Sequence, residues 1–280
     1  MMKLTSAEAE VTFRELGAEI TGFRKLNSPT EYMWQGDPAY WKGRNPILFP
    51  LVGNTFSGSY QIDGKTYSMG NHGLTRHMDF TLIEKTSDSL TFEVRDNEDT
   101  LVQYPFNFRL TVKYQLSGCR LSIDYEIHNT GSRTMPFSFG LHPAFNVPIA
   151  KGEFSDYRLE FEKTETPYQI DNDGTKFSCG SFRNIELDYE IFDRYPTLMY
   201  GDLKSDHVRL TDGKEGVEVG INGFSYLAFW CGDKAPFLCI EPWYGLGDFK
   251  ANDIPFEKRE GTRELAADEK FNAGYYIQLL

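Results

Sequence analysis

No apolar run in the 280-residue chain approaches the about 20 residues that a membrane-spanning helix needs. Met1 to Glu10 lacks the apolar stretch of a secretory leader. The four cysteines, Cys119, Cys179, Cys231 and Cys239, show no C-x-x-C pairing and no histidine at zinc-ligand spacing. A structural metal is therefore not expected, and the reducing cytoplasm is the expected compartment. Gly-rich phosphate cradles, Ser-His-Asp elbows, H-E-x-x-H helices and EF-hand loops are also absent, and no cofactor is expected. Positive charge is in short supply: 29 Lys and Arg against 41 Asp and Glu give a net charge of −12. Such a surface repels phosphate backbones, which argues against nucleic acid as a partner. It also disfavours highly anionic small molecules, unless a local Arg cluster overrides it. Helical periodicity is scarce, with only a single turn or a short helix expected within residues 96–104. Low-complexity segments, long linkers and internal repeats are missing, so residues 1–280 are expected to form one domain, a monomer or homodimer.

What the chain does have is alternation. Leu110, Val112, Tyr114 and Leu116 alternate with Thr111, Lys113 and Gln115. After a Ser117-Gly118 turn, Leu121, Ile123, Tyr125 and Ile127 continue the pattern, which predicts a long hairpin with one dry face. Hairpins are likewise predicted at 59–69 around Asp63-Gly64, at 81–95, and at 208–221 around Asp212-Gly213. Residues 224–230 and 237–241 read as strands buried on both faces, and 274–280 as a closing strand. With 15% aromatics and little helix, the pattern points to an all-β sandwich of large antiparallel sheets.

Five histidines are present. His128 and His207 fall on the polar phase of their strands and are expected to be solvated, while His77 stays ambiguous. His72, in Asn71-His72-Gly73, is either a loop side chain projecting at a sheet end or a cap on a neighbouring carbonyl. His142 precedes Pro143, which holds it extended. Its apolar neighbours fit either a partly desolvated functional group or a satisfied core histidine, the latter being the stronger reading on sequence alone. Glu241 closes the apolar run Phe237-Leu238-Cys239-Ile240, where a carboxylate is costly unless it is paired or serves a site. Trp243 follows it and Trp230 ends the preceding strand. Aromatic faces of this kind stack on the C–H faces of sugar rings.

At these residues the chain resembles the aldose 1-epimerase (galactose mutarotase-like) family, in its LacX-like branch. The resemblance is carried in order by Asn45-Pro46-Ile47-Leu48-Phe49-Pro50-Leu51-Val52-Gly53, Asn71-His72-Gly73-Leu74-Thr75-Arg76, Tyr104-Pro105-Phe106, Gly140-Leu141-His142-Pro143-Ala144-Phe145-Asn146, and Cys239-Ile240-Glu241-Pro242-Trp243 with Gly245 and Asp248. It implies a supersandwich fold and a sugar substrate. It also implies Glu241 as the base for the anomeric hydroxyl, His142 as the acid at the ring oxygen, His72 as a second histidine there, and Arg76 as a hydroxyl-binding group. Two departures from the family pattern stand out. Asn54 occupies a position that is Arg in many relatives, and Pro196 one that is Asp, for which Asp193 is a candidate substitute.

The acid–base chemistry is self-consistent. Opening a cyclic hemiacetal requires one proton removed from the C1 hydroxyl and one delivered to the ring oxygen, and a Glu–His pair can do both. The expectation is that His72, His142 and Glu241 converge in one cleft walled by Trp230 or Trp243. Competing readings are a hexose-6-phosphate mutarotase, using Arg24, Arg44 and Arg76, and a noncatalytic sugar-binding sandwich. A glycosidase would need two carboxylates about 5–9.5 Å apart, and only Glu241 is convincingly placed.

Overall fold

The computed structural model describes residues 2–280. The alternation at 109–127 becomes the hairpin Phe108–Ser117 and Arg120–Asn129, with Leu116 opposite Leu121 and Val112 opposite Tyr125. These strands sit in a nine-stranded antiparallel sheet. It also holds Thr81–Lys85, Ser89–Arg95, His207–Thr211, Gly216–Gly220 and Lys270–Leu279. The closing strand therefore starts four residues earlier than its alternation indicates. A second sheet, of eight strands, carries Thr197–Gly201, Tyr226–Trp230 and Phe237–Trp243 side by side. Ile47–Leu48, Gly140–Leu141 and Ala144–Asn146 add to it. The chain thus adopts the expected all-β architecture of large antiparallel sheets.

One buried cluster, running from Leu4 to Leu279, takes side chains from both large sheets: Leu110, Val112 and Ile123 from one, Leu198, Phe229, Leu238 and Ile240 from the other. Among the described residues, α-helix is confined to Glu98–Gln103 and Tyr189–Arg194. The first begins at Asn97, whose side chain accepts from the Thr100 N–H while the Thr100 hydroxyl accepts from the Asn97 N–H, a reciprocal cap. The second, started by Asp188, carries no helical periodicity that the sequence reveals. No helix among the described residues is long and apolar enough to cross a membrane. All four cysteines are free thiols.

Two expectations need correction. His128 and His207 are not simply solvated. His128 Nε2 lies 2.7 Å from an Asp268 oxygen, and His207 Nε2 lies 3.5 Å from Glu218. Asp268, in the turn before the closing strand, and Glu218, on the strand Gly216–Gly220, draw in the two imidazoles.

Candidate active site

Period-two alternation in three adjacent strands of the eight-stranded sheet builds the site. In Phe237–Trp243, Leu238 and Ile240 point into the main core. Phe237, Cys239, Glu241 and Trp243 therefore point to the other face. Ala228 stands opposite Glu241, and Met199 opposite Ala228. The next row is Thr197, Trp230, Cys239 and Ala144. Because the neighbour of Glu241 is only an alanine, space remains above the carboxylate. That space is part of a cavity of about 410 Å³ whose walls include His72, His142, Glu241, Trp230 and Trp243. Arg76, Asn54 and Pro196 also line it.

Two loops deliver the histidines. His72 has φ +63°, a left-handed conformation uncommon for a side chain of its size and worth attention when it occurs at a site. It is held from both directions: its N–H donates to the Gly53 carbonyl (2.9 Å) and its Nδ1 accepts from the Gly53 N–H (3.1 Å). An Nδ1 that accepts must be unprotonated, so the neutral ring carries its hydrogen on Nε2 and is a donor there. Gly73 follows with φ +76°, and a Cβ there would meet the Phe49 carbonyl oxygen at 2.3 Å. Only glycine lets this loop lie against 49–53. His142 sits between Gly140–Leu141 and Ala144–Asn146, where the Pro143 carbonyl accepts from the Ile240 N–H at 3.0 Å. This main-chain bond holds the segment bearing His142 against the strand that carries Glu241.

The result is a close, desolvated group. His142 Nε2 is 3.2 Å from a Glu241 oxygen, with both side chains buried. The His72 and His142 rings meet edge-on with centroids 5.3 Å apart. Glu241 Oε2, His142 Nδ1 and Trp243 Nε1 are all buried and lack an aligned hydrogen bond, a concentration that buried polar atoms rarely show outside functional sites. Burial pushes the Glu241 carboxyl well above its ordinary range, and the Trp243 N–H and the Arg76 guanidinium oppose that only in part. Burial, then His72 and Arg76, push His142 well below the ordinary imidazole value. Burial and Arg76 bring His72 down to about 3. His72 is thus a neutral donor near neutral pH, while burial drives the Glu241–His142 pair toward its uncharged forms, a neutral acid beside a neutral imidazole.

Sequence reasoning missed Trp41. Its ring stacks on His142 at 4.9 Å and 27° and meets Trp230 edge-on at 5.4 Å. Gly43 makes room for it, since a Cβ there would lie 2.3 Å from the indole. An aromatic pair, Tyr40-Trp41, in an otherwise polar loop was the available signal. Phe249, Asp248 and Asn172 also line the cavity. Asp193 does not, because the helix Tyr189–Arg194 carries it to an exposed position. Arg24 and Arg44 line a different groove, and the Arg44 guanidinium donates to the Gln35 carbonyl. Of the three arginines considered for a phosphate pocket, only Arg76 reaches the cavity. His142, Cys239 and Glu241 bring three donor atoms within 4.8 Å of one another, a set that could hold a soft cation.

A family model described as aldose 1-epimerase matches residues 1–264. The protein LacX (chromosomal) of Lactococcus lactis subsp. lactis is 32% identical, over 95% of each chain. A galactose mutarotase related enzyme from Lactobacillus acidophilus superposes with a TM-score of 0.92 at 30% identity, covering 100% of this chain and 97% of that one. A galactose mutarotase-like protein from Lactobacillus casei gives 0.93 at 29% identity, covering 100% of both chains.

Proposed function

Given that the chain belongs to the aldose 1-epimerase family, we propose that it is an isomerase interconverting the α and β anomers of an unphosphorylated hexose, with Glu241 as base and His142 as acid. The observation that carries this reading is the buried Nε2–Oε2 approach of 3.2 Å, in which burial drives the two partners' proton affinities in opposite directions.

The steps balance without any other reagent. The pair's one proton first passes across the 3.2 Å gap from Glu241 to His142 Nε2, and Glu241, now a carboxylate, takes the C1 hydroxyl proton. The bond between C1 and the ring oxygen breaks as the C1 carbonyl forms, and His142, protonated, gives its Nε2 proton to the leaving ring oxygen. The pair ends as a neutral acid and a neutral imidazole, the arrangement that desolvation favours. Rotation about C1–C2 and reclosure on the other carbonyl face run the transfers in reverse and yield the other anomer. His72, neutral and carrying its hydrogen on Nε2, donates to a sugar oxygen without supplying the catalytic proton. Trp41 stacks on the His142 ring and favours its protonated form. Arg76, Asn54 and Asp248 meet the hydroxyls.

The placement of Arg24 and Arg44 away from the cavity favours an unphosphorylated sugar over a hexose 6-phosphate. A purely sugar-binding protein would not need a buried carboxylate against an imidazole, a costly arrangement. Anomer exchange followed by NMR with galactose, glucose and glucose 6-phosphate tests the reading. Exchange above the spontaneous rate with a free sugar supports it, and binding without exchange by any sugar sinks it.

A further inference from the structure

The catalytic cavity opens beside a second depression of about 460 Å³, and Gly247, Asp248 and Phe249 belong to the walls of both. Burial falls along the path between them: Glu241 and His142 are buried, Asp248 and Phe249 are partly exposed, and Lys250 is exposed. A sugar whose C1 and ring oxygen met Glu241 and His142, with its non-anomeric end toward the less buried side, would reach this rim. We propose that the second depression is a further sugar subsite. On this proposal, which rests on the mutarotase reading, the substrate is a neutral reducing disaccharide or longer oligosaccharide that enters by its reducing end.

The chemistry of the depression fits a second ring. Phe249 packs against the cluster of Leu48, Met199 and Trp243, and Gly174 lies directly against its ring, where a Cβ would be 2.9 Å away. Its ring is thereby fixed as a half-exposed aromatic platform at the junction. Ile254, 49% exposed, adds apolar surface to the same wall. Thr175 and Asn252 bring polar side chains. Asp248 Oδ2 is held by the Phe56 N–H (3.0 Å) and Arg259 (3.1 Å), an arrangement that leaves its other oxygen outside those contacts as an acceptor for a hydroxyl. Arg259 Nη1, on a side chain only 10% exposed, has no aligned hydrogen bond. Apolar platforms ringed by fixed donors and acceptors are what neutral sugars use.

Charge argues against a phosphate here. Arg259 is paired with Asp248, and Glu260 with Lys176. What is left on the wall is one acid, Asp173, and one base, Lys250. An anion would meet no excess of cations.

The test compares NMR anomer exchange of glucose, glucose 6-phosphate, maltose, cellobiose and isomaltose by the intact protein, with calorimetric affinities for the same sugars. At least one disaccharide should exceed glucose in kcat/KM by about tenfold, the equivalent of one or two good polar contacts. Thr175→Trp, which fills the depression from a residue outside the catalytic cavity, should erase that advantage and leave glucose exchange unchanged. Ile254→Ala should reduce it. Three disaccharides no better than glucose, an advantage that survives both variants, or glucose 6-phosphate outperforming all of them would each overturn the subsite. If no sugar exchanges at all, the mutarotase reading fails, and the affinities then decide the subsite alone. A disaccharide preference of about tenfold, lost in Thr175→Trp, would sustain it, and equal affinities would end it.

Discussion

Acid should destabilise this protein through His72 by an amount that can be worked out. In the folded state burial and Arg76 bring its imidazole down to about 3, against an ordinary value of about 6.5 in the unfolded chain. The folded value is the lower one, so as pH falls the unfolded chain takes the proton first. The stability that His72 contributes is complete above about pH 6.5 and is lost progressively below it. Each pH unit below costs about 1.4 kcal/mol, so moving from about pH 7.5 to about pH 5 removes roughly 2 kcal/mol. That is a large share of the about 5–15 kcal/mol of a typical domain. His142 is depressed too and adds loss in the same direction, while Glu241, raised by burial, gains stability as pH falls and offsets it.

The His72→Asn variant isolates the first part. Asn accepts the φ of +63° more readily than most residues and does not titrate. Urea unfolding at the two pH values, for both proteins, gives a difference of differences from which any pH-independent cost of the substitution cancels. The wild type should lose about 2 kcal/mol more than His72→Asn. An equal loss in the two proteins would show that His72 is not held neutral by burial, and the role of a fixed Nε2 donor would go with it.

Further expectations concern the cavity walls. Trp41→Leu removes the ring stacked on His142, so anomer exchange should slow by about 2- to 30-fold at equal folded fraction, on the basis that an aromatic face favours a cation by about 0.5–2 kcal/mol; an unaltered rate would make Trp41 mere packing. Gly140→Ala would place a Cβ 2.6 Å from Trp243 Cδ1, and overpacking of this kind should cost about 1–3 kcal/mol in denaturant unfolding. Cadmium should inhibit exchange by bridging Cys239, His142 and Glu241, and Cys239→Ser should raise the inhibitory concentration by at least about tenfold, since thiolate is the favoured ligand for soft cations.

The sheets were legible because their strands alternate cleanly. Leu110 to Leu116 and Leu121 to Ile127 face the core in the structure as their spacing indicates. The helix Tyr189–Arg194 was not legible, since six residues give too few turns to show a period. It is this helix that takes Asp193 away from the cavity. The site was legible only through the family resemblance. His72, His142 and Glu241 come from separate segments that meet because one strand pair and a left-handed loop bring them together, and no local spacing encodes that. Trp41 escaped notice for the same reason: its place depends on Gly43 yielding to its ring. The departure Pro196 does lie on the cavity wall, and Asp248, from a different segment of the chain, lines the same cavity.

The most direct measurement is NMR anomer exchange by Glu241→Gln beside the wild type, at equal folded fraction and with sugar affinity measured in parallel. Gln keeps the shape and an acceptor oxygen but takes no proton at neutral pH. If Glu241 is the base, kcat should fall about 10²- to 10⁴-fold with sugar affinity changed by only a few-fold. Exchange at the wild-type rate in the folded variant would contradict it, because the buried carboxylate beside His142 would then not be the base.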